Sequence, residues 1–137
     1  MPHLADVVYY ASYFNSSKNV IAAAWLHDIL EDTPTTRAEV EAAFGAEIAI
    51  LVDAVTDGPG SNRAERHVES FQKMRAAGEE ARRLKLCDRI ANVSNCAFHR
   101  PELYKMYLKE HPTFKLELHF PAELEELWEH LNALLAR

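Results

Sequence analysis

Residues that interrupt helices or crosslink a chain are scarce in this sequence. The 137 residues include only 4 glycines, 6 prolines and 2 cysteines. Cys87 and Cys96 lie nine residues apart in one helical stretch, too far for an i, i+4 contact, so we expect neither a disulfide nor a zinc finger. Low cysteine usage is typical of a reducing compartment, which predicts a cytoplasmic location.

Long apolar runs and an excess of positive charge are also missing. No run of about 18 apolar residues is present, so the sequence predicts no membrane-spanning helix. The N-terminal residues lack the basic and then apolar stretches of a secretory signal. The net charge of −6 argues against binding to nucleic acid polymers, because phosphate backbones require a basic surface. A small anionic ligand is still compatible, since a metal ion and a few Lys or Arg side chains can hold a phosphate.

Apolar residues recur with helical spacing along nearly the whole chain, and they make up 48% of it, enough to form a core. We therefore predict one all-α domain over residues 1–137, a bundle of about six to eight helices. The expected helices are residues 3–14, 18–32, Thr36 to Gly45, Ile48 to Val55, Asn62 to Gly78, 79–98, and two that begin at Pro101 and Pro121. The last has a wide apolar stripe, which either closes the core or forms a homodimer interface.

A group of ionisable residues ends the apolar helix expected over residues 18–32. This group consists of His27, Asp28, Glu31 and Asp32. His27 and Glu31 are i and i+4, so they share one face of a helix. A carboxylate buried without a partner is costly, and a divalent cation would relieve both that cost and the mutual repulsion of the acids. The segment therefore predicts a metal site, unless Glu31 and Asp32 are simply the solvated end of the helix.

A second acidic residue, Asp88, lies within the apolar stretch of the helix expected over residues 79–98. Asn92 follows at i+4 and shares its face. Asp88 is either a further metal ligand or an ion-pair partner of a neighbouring Lys or Arg. A metal held by one His and one Asp needs ligands from elsewhere, and His3, at the start of the first amphipathic helix, is the best additional imidazole.

These residues resemble, in order and spacing, the HD-domain metal-dependent phosphohydrolase superfamily. Within it they are similar to the hydrolase domain of RelA/SpoT-type proteins and their small stand-alone relatives. The family pattern is a His, a His-Asp doublet and a distal Asp, which match His3, His27, Asp28 and Asp88. The resemblance covers residues 3–96 and includes three blocks, residues 26–33, 51–56 and 85–92.

The resemblance implies a metal-dependent phosphohydrolase that acts on a nucleotide, with hydrolysis of a guanosine tetraphosphate-like 3′-pyrophosphate as the leading expectation. One divalent ion, expected to be Mn²⁺, would be held by His3, His27, Asp28 and Asp88. Glu31 would orient or deprotonate the attacking water, with Asp32 acting beside it. Phosphates would need local cations on this acidic protein, for which the candidates are Arg63, Arg66, Lys85 and Arg89. Asn92 would hydrogen-bond a sugar or a base.

Two other functions stay open at this point. One is a different nucleotide phosphatase or nucleoside triphosphate hydrolase that uses the same metal site. The other is a non-catalytic HD-type binding or regulatory module, although Glu31 and Asp32 favour an enzyme because a module has no need to activate water.

The sequence departs from the family's long hydrolases before His3. In those proteins a helix and a basic loop precede the first His and contact the nucleotide, whereas only Met1 and Pro2 precede it here. We expect other residues to supply those contacts. The synthetase half of the long proteins is also absent, so no nucleotide synthesis is expected.

Three further residues carry simpler expectations. His67 shares a helix with Arg63 and Arg66, and we expect it at the surface. Trp25 and Trp128 lie among apolar residues, which predicts that both belong to the core.

Overall fold

A computed structural model describes residues 2–118 and 124–136 of the chain. Over these ranges the protein is helical and has no strand, which confirms the all-α class. The helices are α1 Pro2–Tyr13, α2 Lys18–Leu26, α3 Ile29–Asp32, α4 Arg37–Phe44, α5 Ala46–Ala54, α6 Arg63–Ala77, α7 Glu79–Cys96, α8 Pro101–Glu117 and α9 Glu125–Leu135. Since α3 has only four residues, eight longer helices remain, in agreement with the expected bundle. Pro121, expected to open the last helix, lies outside the described residues.

Local sequence signals set several helix ends. Thr36 and Glu39 form a capping box at the start of α4. The side chain of Asn62 accepts a hydrogen bond from the backbone N–H of Glu65 and caps α6. Gly78 joins α6 to α7 with a φ of 97°, a conformation that favours glycine, and so permits an abrupt change of direction.

Helix α7 lies at the centre of the bundle. It packs against α1, α2, α5, α6, α8 and α9. Its Leu84, Leu86 and Ile90 are fully buried, because neighbouring helices cover it on most sides. Asp88 and Arg89 are buried in the same helix, so α7 carries two charged groups into the interior of the fold.

The expected helix over residues 18–32 is interrupted at His27 and Asp28, and that part of the prediction is wrong. Helix α2 ends at Leu26, Asp28 has φ −101° and ψ 2°, and α3 begins at Ile29. Consecutive residues of a regular helix point about 100° apart, so His27 and Asp28 could not both face one point from a continuous helix. The turn at residues 27–28 lets both side chains face the same place.

The two tryptophans differ in burial. Trp128 is buried, as predicted. Trp25 is 51% exposed, so the prediction that it belongs to the core is wrong. In the short helix α2, Val20, Ala23 and Ala24 form the buried face and leave Trp25 on the opposite side.

The apolar stripe of α9 closes the core. Leu127, Trp128, Leu131 and Leu135 are all buried, and α9 packs along α7. Of the two roles predicted for this stripe, the structure therefore assigns closure of the core.

Truncation of the α9 stripe should destabilise the fold. Leu131 is 0% exposed, so we expect Leu131→Ala to lower the free energy of unfolding by about 2–5 kcal/mol, through lost burial and the cavity left behind. The matched control is Leu116→Ala on α8, where the side chain is 76% exposed and a change within about 0.5 kcal/mol is expected. Urea denaturation followed by circular dichroism measures both. Equal effects would contradict the docking of α9.

Candidate metal centre

Four side chains from three parts of the chain meet at one point. His3 comes from the first turn of α1, His27 and Asp28 from the turn between α2 and α3, and Asp88 from the middle of α7. Nε2 of His3 is 3.1 Å from Nε2 of His27 and 2.9 Å from Oδ1 of Asp88. Nε2 of His27 is 3.2 Å from both Oδ2 of Asp28 and Oδ1 of Asp88. The structure thus brings together all four residues predicted to bind a metal ion.

The His27 ring is oriented by the backbone of its own helix. Its Nδ1–H donates to the carbonyl oxygen of Ala24 at 2.8 Å, which directs Nε2 toward the cluster. Burial opposes a charge on this imidazole, but hydrogen bonds to Asp28 and Asp88 and their negative charges outweigh burial and raise the pKa of His27 to about 10. The cluster therefore favours a positive charge at this position.

Asp88 stays ionised in spite of its burial. Burial alone would raise its pKa, but the Lys85 ammonium and the imidazoles of His27 and His3 hold the pKa of Asp88 well below its usual range. Nζ of Lys85 is 3.2 Å from Oδ2 of Asp88, and the Asn92 amide donates weakly to Oδ1 at 3.4 Å. Of the two alternatives for Asp88, the ion pair with Lys85 is present at Oδ2, whereas Oδ1 faces the two imidazoles and its role as a metal ligand stays a prediction.

The donor atoms fit a divalent cation in both chemistry and spacing. Imidazole nitrogens and carboxylate oxygens are common ligands of first-row metals and of Mn²⁺. Metal–ligand bonds of about 2.1 Å place adjacent ligands of an octahedral ion about 3.0 Å apart and opposite ligands about 4.2 Å apart. The observed neighbouring distances are 2.9–3.2 Å, and that between Nε2 of His3 and Oδ2 of Asp28 is 3.9 Å. One donor atom from each of His3, His27 and Asp28 lies within 4.8 Å of the other two, close enough for all three to bind one ion.

The cluster opens into a cleft of about 280 Å³. Four acidic and three basic side chains line it, namely Asp28, Glu31, Asp57, Asp88, Arg63, Lys85 and Arg89, together with His3, Val55, His67, Asn92 and Tyr107. Without a cation the lining carries an excess of negative charge. A divalent cation would make it net positive, and the cleft would then attract phosphate.

Glu31 is fixed at the edge of this cleft by the loop after α5. The backbone N–H of Asp57 donates to Oε1 of Glu31 at 2.7 Å. Partial desolvation raises the pKa of Glu31, although the hydrogen bond from Asp57 opposes that shift. The hydrogen bond from Asp57 uses only one oxygen of Glu31. A carboxylate that is held in place and has a raised pKa is suited to accept a proton.

The structure places only part of the predicted substrate-binding and catalytic set in the cleft. Glu31, Arg63, Lys85, Arg89 and Asn92 line it. Asp32 is exposed at the end of α3, and Arg66 is not among the lining residues.

His67 was expected at the surface, and that prediction is wrong. The residue is 8% exposed, lines the cleft and places Nε2 3.8 Å from Oδ1 of Asp57. Burial lowers its pKa, which keeps the imidazole neutral near pH 7. A signal for this burial is present in the sequence. His67 has helical spacing with the other buried residues of α6, which are Ser70, Phe71 and Met74.

Comparison with known sequences identifies relatives of this chain. The family model described as an HD domain matches residues 1–113. The chain is similar to the guanosine-3′,5′-bis(diphosphate) 3′-pyrophosphohydrolase MESH1 of Danio rerio, with 39% identity over 83 residues that cover 61% of this chain and 46% of that protein. It is 35% identical over 111 residues to the guanosine-3′,5′-bis(diphosphate) 3′-pyrophosphohydrolase of Aquifex aeolicus, covering 79% of this chain and 16% of that protein. The matched part is thus less than half of either relative.

Solved structures share the fold at lower identity. A crystal structure of lmo0812 from Listeria monocytogenes superposes with a TM-score of 0.77 at 22% identity, covering 98% of this chain and 94% of that one. A structure of a metazoan ortholog of SpoT, described as hydrolysing ppGpp, gives a TM-score of 0.79 at 22% identity, covering 98% of this chain and 78% of that one. These likenesses establish the shared fold. Since the family model covers most of the sequence, the protein belongs to the HD domain family.

Proposed function

We propose that this protein is a metal-dependent phosphohydrolase that removes the 3′-pyrophosphate of a guanosine tetraphosphate-like nucleotide. The observation that carries the proposal is the convergence of two imidazoles and two carboxylates at the head of a cleft that also holds Glu31 and three cationic side chains. The relatives named guanosine-3′,5′-bis(diphosphate) 3′-pyrophosphohydrolase support the choice of substrate.

In this proposal His3, His27, Asp28 and Asp88 hold one divalent ion, which we expect to be Mn²⁺. The two carboxylates suit Mn²⁺, and imidazole nitrogens are common ligands of first-row divalent ions. When bound, the ion supplies Lewis acidity that polarises a phosphoryl oxygen and acidifies water. A cytoplasmic location stays a prediction, and the two free cysteines are compatible with it.

Glu31 is the proposed base. Its carboxylate takes a proton from the attacking water as that water bonds to phosphorus. The bond between phosphorus and the 3′ oxygen breaks, and the proton held by Glu31 passes to that oxygen as pyrophosphate is released. The hydrogen bond from Asp57 holds Glu31 in place during this transfer. The catalytic role of Asp32 stays a prediction. Its exposed position at the end of α3 fits a solvated helix end equally well.

Arg63, Lys85 and Asn92 are the proposed contacts to the substrate. The two cations line the cleft, where they bind phosphate oxygens, and the Asn92 amide is placed next to Asp88 to hydrogen-bond a sugar or base. Arg66 stays a prediction without support from the cleft geometry.

A panel of nucleotides tests the choice of substrate. We expect the protein loaded with Mn²⁺ to release pyrophosphate from guanosine tetraphosphate, and to act much less on deoxynucleoside triphosphates and NADPH. Measurement of phosphate and pyrophosphate release gives the answer. Preference for another member of the panel would keep the hydrolase and replace its substrate.

Removal of one ligand should abolish metal binding. His27→Ala deletes a buried Nε2 from the cluster, so we expect metal content by elemental analysis to fall from about one ion per chain to near zero. Added Mn²⁺ should raise the thermal midpoint of the unmodified protein but not of this variant. The control is His99→Gln, an exposed histidine, which should behave as the unmodified protein. Full metal content in His27→Ala would refute the ligand assignment.

Substitution of the proposed base should separate catalysis from binding. In Glu31→Gln the amide oxygen still accepts the N–H of Asp57, but the side chain takes no proton, so kcat should fall by about 100-fold or more with metal content unchanged. Glu41→Gln, at an exposed position of α4, is the control and should keep full activity.

The same experiment tests the non-catalytic alternative. Loss of turnover with the metal retained supports the enzyme. An inert but metal-loaded unmodified protein, indistinguishable from Glu31→Gln in every assay, would favour a binding module.

A further inference from the structure

One carboxylate connects two guanidinium groups at the cleft. Glu110 of α8 accepts from Nε and Nη2 of Arg63 at 2.7 and 3.1 Å, and from Nη1 of Arg89 at 2.9 Å. Arg63 lies at the start of α6 and Arg89 in α7, so Glu110 joins three helices. Both arginines line the cleft that contains the candidate metal centre.

Within this triad two guanidinium groups face one carboxylate, which leaves one net positive charge among the three side chains. Arg89 is 3% exposed, with its Cζ 4.8 Å from the ring centroid of Tyr107 and 4.1 Å from that of Phe114. Buried charges require partners, and here two guanidinium groups share a single carboxylate. The excess charge faces a cleft, where an anionic ligand can supply the missing partner.

A purely structural role for Glu110 is the competing explanation, because the carboxylate also links α8 to α6. A second link between the same helices exists, in which Nη1 of Arg75 donates to Oε2 of Glu117 at 2.5 Å and to the carbonyl oxygen of Glu117 at 3.1 Å. Neither Arg75 nor Glu117 lines the metal cleft. The two links therefore share their structural role and differ in access to the cleft.

We propose that Glu110 is a positioning residue that holds Arg63 and Arg89 as a pair, and that this pair binds a phosphate or pyrophosphate group in the cleft. The proposal deepens the proposed function, since it names the residues that hold the phosphates of the substrate. Glu110 itself does not contact the substrate. It fixes two planar donors whose remaining N–H groups match the oxygens of a phosphate.

The effect of Glu110 on anion affinity has two parts of opposite sign. Its negative charge repels phosphate, so removal of the charge alone would strengthen anion binding. Its hydrogen bonds orient the guanidinium groups, so removal of those bonds weakens binding by lost preorganisation. The sign of the observed change therefore distinguishes a positioning residue from a mere counter-ion.

Calorimetric titration with inorganic pyrophosphate tests the proposal on the metal-loaded full chain. For Glu110→Gln we expect the dissociation constant to rise by about tenfold, the scale of one lost charge-assisted hydrogen bond. Glu110→Asp keeps the charge but shortens the side chain, and should also weaken binding. The matched control, Glu117→Gln, should lower thermal stability about as much as Glu110→Gln but leave pyrophosphate affinity unchanged.

Kinetics supply the second measurement. With the nucleotide that the protein hydrolyses, Glu110→Gln should raise KM by about tenfold and change kcat little, because Glu31 and the metal ligands are untouched. Unchanged or tighter pyrophosphate binding, or an equal effect of Glu117→Gln, would overturn the proposal. Pyrophosphate binding that depends on Glu110 in a protein that hydrolyses no nucleotide would support it while the proposed hydrolase fails.

Discussion

Compensation of the charge on Asp88 governs the arrangement of the interior. A carboxylate in the middle of a buried helix is costly. This one is compensated by Lys85, which precedes it by one turn, and by two imidazoles from α1 and from the α2–α3 turn, and Asn92 adds a weak hydrogen bond. The position of α1 across α7, and the break after Leu26, both serve to bring those imidazoles close. The same group of imidazoles and carboxylates is the candidate site for a cation.

A second charged residue of α7 organises the other side of the cleft. Arg89 follows Asp88 directly, so the two side chains leave the helix in different directions. Asp88 faces the imidazoles, and Arg89 reaches Glu110 and the ring of Phe114. One helix thus supplies a carboxylate to the candidate metal centre and a guanidinium to the Glu110 ion pairs, and both side chains line the cleft.

The sequence allowed the helical class, most helix boundaries and the four clustered residues to be predicted, because each depends on local spacing or a short motif. The break at His27 and Asp28 was not predictable in this way, since no glycine or proline marks it. The burial of His67, the exposure of Trp25 and the ion pairs of Glu110 likewise depend on how the helices pack. Packing decides which face of a helix is buried, and short-range sequence patterns do not fully determine that face.

Because the clustered residues are far apart in sequence, binding of a cation to them would affect how firmly the first helix is held in the fold. His3 and Asp88 are 85 positions apart and are in contact at 2.9 Å. A cation bound between them would act as a reversible crosslink that closes a large loop and ties the first helix to the central one. Chelation would remove that tie, and α1 would become the segment most prone to local unfolding. The protection of α1 amides from hydrogen exchange would then report the metal occupancy of the protein directly.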